Sequence, residues 1–135
     1  MNSMHNCIFC KIVNKEIPKE IIAEDEKVMV FMSLQNHPLI ITKTHHENIY
    51  SLDEETGNHI MNMAIKMAKA VKKGLNADGV NLIQNNEEAA GQEVFHFHLH
   101  IKPRFKKDKV LFHIPTEDIA EETKMTTFNK IKSAL

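Results

Sequence analysis

The sequence predicts an α+β fold with a mostly antiparallel sheet, one long helix and a C-terminal helix. Three observations carry that expectation: short β-branched runs parted by polar turns, one long segment of helical periodicity, and a strict alternation of histidine with apolar residues around position 98. The 135 residues fit a single domain, 1–135, large enough to enclose a core and too small for two ordinary ones.

The elements follow in order. Cys10 to Val13 forms a short helical turn that Asn14-Lys15-Glu16 and Pro18 end. Glu20 to Met32 reads as a hairpin, with Ile21-Ile22-Ala23 before the polar Glu24-Asp25-Glu26 and Val28, Val30 and Met32 alternating behind it. Leu39-Ile40-Ile41-Thr42 is a third strand, entered through Asn36-His37-Pro38. Ser51 and Glu54 have capping-box spacing, and Ile60, Met63, Ala64, Met67, Ala68 and Val71 recur at helical intervals until Gly74. The methionines of that helix are adaptable core filling. Val80 to Gln84 and Val94 to Ile101 are two further strands, joined by the polar loop Asn85 to Glu93. Thr116 to Leu135 carries Ile119, Phe128, Ile131 and Leu135 in a weaker helical pattern.

Composition narrows the function. A net charge of -1 provides no basic field for a polynucleotide, and Lys106-Lys107-Asp108-Lys109 reads as a solvated turn. No apolar run approaches the roughly 20 residues of a membrane span, and the N-terminus lacks the basic and apolar regions of a secretion signal. A cytoplasmic location is expected. The two cysteines, Cys7 and Cys10, are too few for a disulfide framework, and their C-x-x-C spacing points to metal or redox chemistry.

The run Phe95-His-Phe-His-Leu-His-Ile101 is the most informative in the chain. On a strand its three imidazoles, His96, His98 and His100, line one face and its apolar residues the other. Imidazole titrates near neutrality and binds metals, so two chemistries fit: three ligands holding a catalytic zinc, or one imidazole attacking phosphorus. Alternate strand residues lie about 6.6 Å apart, wide for three ligands on one ion. Sequestering one histidine elsewhere and leaving two for phosphoryl work is easier. Gly91-Gln92 and Asn85-Asn86 add a flexible backbone and neutral amides beside the strand.

Gly91-Gln-Glu-Val-Phe-His-Phe-His-Leu-His-Ile-Lys-Pro-Arg104 resembles the signature of the histidine triad (HIT) hydrolases and transferases. Cys7-Ile-Phe-Cys-Lys-Ile12, Glu16-Ile-Pro18, His37-Pro-Leu-Ile-Ile-Thr-Lys-Thr-His45 and Asn85 follow the family's order, so the resemblance covers residues 7–105. It implies a HIT-like nucleotide-binding fold, a homodimer through the long helix, and cleavage at the α-phosphate of small purine nucleotide conjugates through a nucleotidyl-histidine. By motif position His98 is the nucleophile and His100 contacts the phosphate or leaving group. Gln92 bonds near the scissile bridge, Asn85 near the ribose or phosphate, and His37 is the supporting fourth histidine. Cys7, Cys10, His45 and His96 are the implied ligands of a structural zinc, with His46 an adjacent competitor for His45.

Two features depart from the family pattern. The segment between Phe31 and His37 is short, with Ser33 where an acidic residue commonly meets the ribose, and Glu87-Glu88 stand where glycine is usual. Two other readings accompany the first: a nucleotide-binding or interaction protein with little turnover, and a zinc-dependent hydrolase using the histidines as metal ligands.

Overall fold

The computed structural model describes residues 6–110, 114 and 117–135. The elements are α1 (Ile8–Val13), β1 (Ile21–Glu24), β2 (Val28–Met32), β3 (Pro38–Thr42), α2 (Glu54–Gly74), β4 (Gly79–Ile83), β5 (His98–Arg104) and α3 (Glu121–Ser133), with short 3-10 turns at Ile49–Ser51 and Glu88–Ala90. The five strands form one sheet in the order β1-β2-β3-β5-β4, and each neighbouring pair is antiparallel. This is the expected α+β class.

The burial pattern explains why the sheet works as a platform. One face packs on α2, where Ile60, Met63, Ala64, Met67 and Val71 meet Val28, Val30, Ile40, Leu99 and Ile101. On the other face α1 covers mainly β2 and β3, burying Phe9, Cys10 and Ile12 against Met29, Phe31, Leu39 and Ile41. β2 and β3 are therefore apolar on both faces, whereas β5 alternates buried Leu99, Ile101 and Pro103 with half-exposed His98, His100, Lys102 and Arg104. Where the α1 layer stops, the polar face of β5 opens. Pro103 fits because β3 pairs β5 only from His98 to His100, so past that point β5 has a neighbour on one side alone.

Several boundaries differ from expectation for local reasons. α1 begins two residues earlier than Cys10 because Cys7 caps it, its Sγ accepting from the Cys10 N–H at 3.4 Å. Asp53, rather than Ser51, caps α2 through a 2.7 Å bond from the Thr56 N–H. Ser51 is consumed by the preceding 3-10 turn, and extended Leu52 separates it from the helix. The expected strand from Val94 begins only at His98; residues 94 to 96 are bent, and the Phe97 N–H is drawn to the His46 carbonyl at 2.6 Å. The last helix is shorter than Thr116 to Leu135, and Thr116 lies outside the described residues. α3 has no buried residue; Met125, Phe128 and Ile131 are all more than half exposed. Among the described residues no helix is long and apolar enough to cross a membrane.

Candidate active site and metal centre

Register carries two of the three histidines to one place. His100 lies opposite Leu39 and His98 opposite Ile41, so both rings emerge on the face that α1 partly covers. His37 precedes Leu39 by two residues and joins them there. It is delivered by the tight β2–β3 connection, in which Asn36 adopts a left-handed φ of 63° and Ser33 Oγ accepts from the Gln35 and His37 N–H groups at 3.1 and 3.3 Å.

His96 is not with them. The expectation of three imidazoles along one strand face fails because the bend before β5 turns His96 fully inward, beside the cysteines. Its Nε2–H donates to the Thr42 carbonyl at 2.7 Å, which fixes the tautomer and leaves Nδ1 bare. That atom lies 3.2 Å from Cys7 Sγ, 3.5 Å from Cys10 Sγ and 3.2 Å from His45 Nδ1, and Cys10 Sγ is 3.3 Å from His45 Nδ1. A tetrahedral zinc with bonds of about 2.0–2.3 Å has ligand edges of about 3.3–3.8 Å. The donor set and its spacing thus fit a metal. Burial, and then the Cys7 thiol beside it, push Cys10 up to about 12, the cost of holding a thiolate there without a cation. Burial foremost, and the neighbouring imidazoles, lower His96 to about 4, keeping it in the neutral form that binds metals. His46 takes no part in the cluster; its Nδ1 meets Ser51 Oγ at 3.2 Å.

His98 and His100 belong to no group of three metal-capable side chains among the described residues, which removes the geometric basis for a triad-held metal. His98 Nδ1–H donates to the His96 carbonyl at 2.8 Å, so its lone pair is at Nε2. Burial lowers His98 despite the opposing effects of that carbonyl and Glu93, and burial followed by His98, His37 and Lys102 lowers His100 to about 4. Both rings are neutral near pH 7. His37 Nε2 and His100 Nδ1 share a 2.8 Å hydrogen bond, and His37 Nδ1 is buried without a partner.

His98 and His100 border a cavity of about 440 Å³. Its apolar wall comes from Ile8, Phe9 and Ile12 of α1 with Phe31, Leu39 and Val94; Ser33, Asn85 and Gly91 also line it. Phe9 sets its ring edge-on to His98 at 5.3 Å and to His96 at 5.7 Å. The α1 residues escape a reading of the sequence as site residues because they look like core; the visible sign was the i, i+4 pair Ile8 and Ile12 beside the cysteines. Asn85 reaches the Gly91 carbonyl at 3.5 Å.

Gln92 is placed differently from expectation. It is buried, lies outside the cavity lining, and is occupied with the loop: Oε1 accepts from the Glu87 N–H at 2.7 Å, and Nε2 donates to the carbonyls of Glu47 and Val94 at 2.6 and 3.1 Å. In this conformation both ends of its amide are taken up by the loop. Glu87 and Glu88 line a different cavity, so their charges do not face His98. Glu87 adopts a φ of 73°, one that side chains rarely take and glycine takes freely.

An antiparallel sheet of an α+β fold, with a pair of neutral imidazoles on the interior strand β5, defines a histidine-based site beside a separate Cys₂His₂ centre. A HIT domain matches residues 14–107, and the chain belongs to that family. It is 34% identical to the adenosine 5'-monophosphoramidase of Saccharomyces cerevisiae over 96% of this chain and 80% of the relative. A crystal structure of a HIT family protein from Bacillus anthracis superposes with a TM-score of 0.88 at 35% identity, covering 96% of this chain and 97% of the other. A Zn-bound histidine triad family protein from Mycobacterium smegmatis superposes at 0.74 with 32% identity, covering 98% and 100%.

Proposed function

We propose that this chain is a nucleotide hydrolase or nucleotidyl transferase that cleaves small purine nucleotide conjugates at the α-phosphate through a nucleotidyl-His98 intermediate. The observation that carries the reading is the orientation of His98: its Nδ1–H is held by the His96 carbonyl, and its neutral ring borders a cavity with an apolar wall suited to a base. The yeast relative's activity on an adenosine monophosphate conjugate supports it.

Nε2 of His98 attacks the α-phosphorus, and the electron pair of the bond to the leaving group departs with that group. His100 Nε2–H donates to a non-bridging oxygen or to the departing atom, and His37 holds the ring that presents it. Water then forms the new P–O bond and the Nε2–P bond breaks, its pair returning to the ring. One water proton stays with the nucleotide phosphate or passes to solvent; the other goes to the departed group or to solvent. Asn85 and Ser33, both at the cavity wall, bond the ribose or phosphate.

Screening purine phosphoramidates, dinucleoside polyphosphates and acyl nucleotides for release of the mononucleotide tests this reading. Turnover of one class is expected, with the acid limb of kcat/KM below the ordinary histidine value of 6.5, because burial lowers His98 and it stays unprotonated there. Tight binding of mononucleotide with no turnover of any class would favour a binding protein instead.

Cys7, Cys10, His45 and His96 hold a structural zinc in this reading, which ties α1 to the β3–α2 connection and the start of β5; reduced thiols suit a cytoplasmic setting. The working unit is a homodimer. β4 is a free sheet edge among the described strands, and Leu82 on it, with Met61 and Ile65 on α2, is about half exposed. Light scattering is expected to give twice the 15.5 kDa chain mass; a particle of the single mass removes the dimer.

A further inference from the structure

His100 separates two cavities. On one side is the cavity with the apolar wall already described; on the other lies a cleft, also of about 440 Å³, lined by Gln35, His37, Ile83, His100, Lys102 and Arg104. The strand period explains the second. Lys102 and Arg104 continue the face of β5 that bears His98 and His100, and β4 sets Ile83 and Asn81 opposite His100 and Lys102.

Among the described residues neither cation has a carboxylate within ion-pair distance. Arg104 is steadied by Nε–H donation to Asn81 Oδ1 at 2.8 Å, while no hydrogen bond to a side chain or carbonyl restrains the Lys102 ammonium there. Both charges bear on His37, and Lys102 also on His100, in each case lowering the imidazole. Two unneutralised cations thus flank the rings at which a leaving group would depart.

We infer that this cleft receives the leaving group and that Lys102, with Arg104 behind it, selects conjugates whose leaving group is itself a phosphate over those that release an amine. The inference rests on the phosphoryl-transfer reading above and adds its direction: base toward α1, leaving group toward β4. An ammonium beside a phosphate gains a charge-assisted contact that grows as the bridging oxygen takes up the electron pair. An amine leaving group gains nothing from it and, once protonated, is repelled. The repulsive half matters as much for selectivity as the attractive half.

The test compares diadenosine tetraphosphate with adenosine 5'-phosphoramidate in wild type, Lys102→Gln and Lys102→Arg. The ratio of their kcat/KM values is expected to fall about tenfold in Lys102→Gln, the loss of one charge-assisted contact, and to recover in Lys102→Arg. Turnover with an unchanged ratio overturns the cleft while leaving the phosphoryl-transfer reading standing. Titration calorimetry with inorganic triphosphate reads the cleft without chemistry: Lys102→Gln weakens binding about tenfold if the inference holds. If wild type cleaves neither conjugate, the reaction is wrong and the triphosphate result alone decides the cleft, equal affinity in both proteins overturning it.

Discussion

His98→Ala is expected to lower turnover of any nucleotide conjugate by at least about a thousandfold while nucleotide binding survives, since the cavity walls come from α1, β2 and β3. In the proposed mechanism, removing the ring removes the atom that forms the covalent bond. The proposed intermediate would have a P–N bond, stable to base and labile to acid. Turnover mixtures of wild type quenched in alkali should therefore show by intact mass one added nucleotide, absent from His98→Ala. Substantial turnover by the variant with the Cys₂His₂ centre intact would transfer the reaction to activated water. The partner substitution is graded: His37→Ala leaves His98 in place but frees His100 from its 2.8 Å bond, so it should reduce kcat more than it raises KM.

The second large effect is on stability. Protein purified without chelator should carry about one zinc per chain, and chelation or Cys7→Ser should lower the Tm by more than about 10 °C. That size follows because structural zinc contributes many kcal/mol and each kcal/mol shifts the midpoint of a domain this long by a few degrees. Four donor atoms converge within 4.8 Å, and without a cation they leave two buried thiols facing two bare imidazole nitrogens. Activity per folded molecule should change much less than the folded fraction. Metal-free protein that melts at the wild-type temperature would rule out the centre's structural role.

What the sequence made legible followed from short-range rules. Val28 to Met32 and Leu39 to Thr42 were readable as strands because β-branched residues crowd them, and α2 because its apolar residues repeat at three and four. His98 and His100 share a face because the period of two holds within β5. His96 escaped that rule: the alternation in the sequence runs on past the point where the strand stops, and the bend is set by a bond from Phe97 to His46, fifty-one residues away. No local pattern reports such a partner. Asp53 and Ser51 are equally good caps on paper, and a 3-10 turn whose Tyr50 N–H is capped by Asn48 takes up Ser51 and leaves Asp53 to start the helix. Gln92 has the composition of a ligand contact, but its amide is the right size to staple its own loop, and the loop's shape determines which it does. Lys102 drew no notice as a lone cation; it gains meaning from Arg104, His37 and Gln35, which the register brings beside it.

One residue serves both centres with different parts of itself. The side chain of His96 belongs to the Cys₂His₂ cluster, while its carbonyl sets the tautomer of His98. A substitution at 96 can replace only the ring; the peptide oxygen remains in any variant. A change in the Cys₂His₂ cluster therefore reaches His98 as a displacement of main chain, not as a change of chemical group. The alignment of His98 then has a mechanical tolerance set by how rigidly Cys7, Cys10 and His45 hold that ring. A loosened cluster would broaden the orientations of His98 well before the sheet itself came apart.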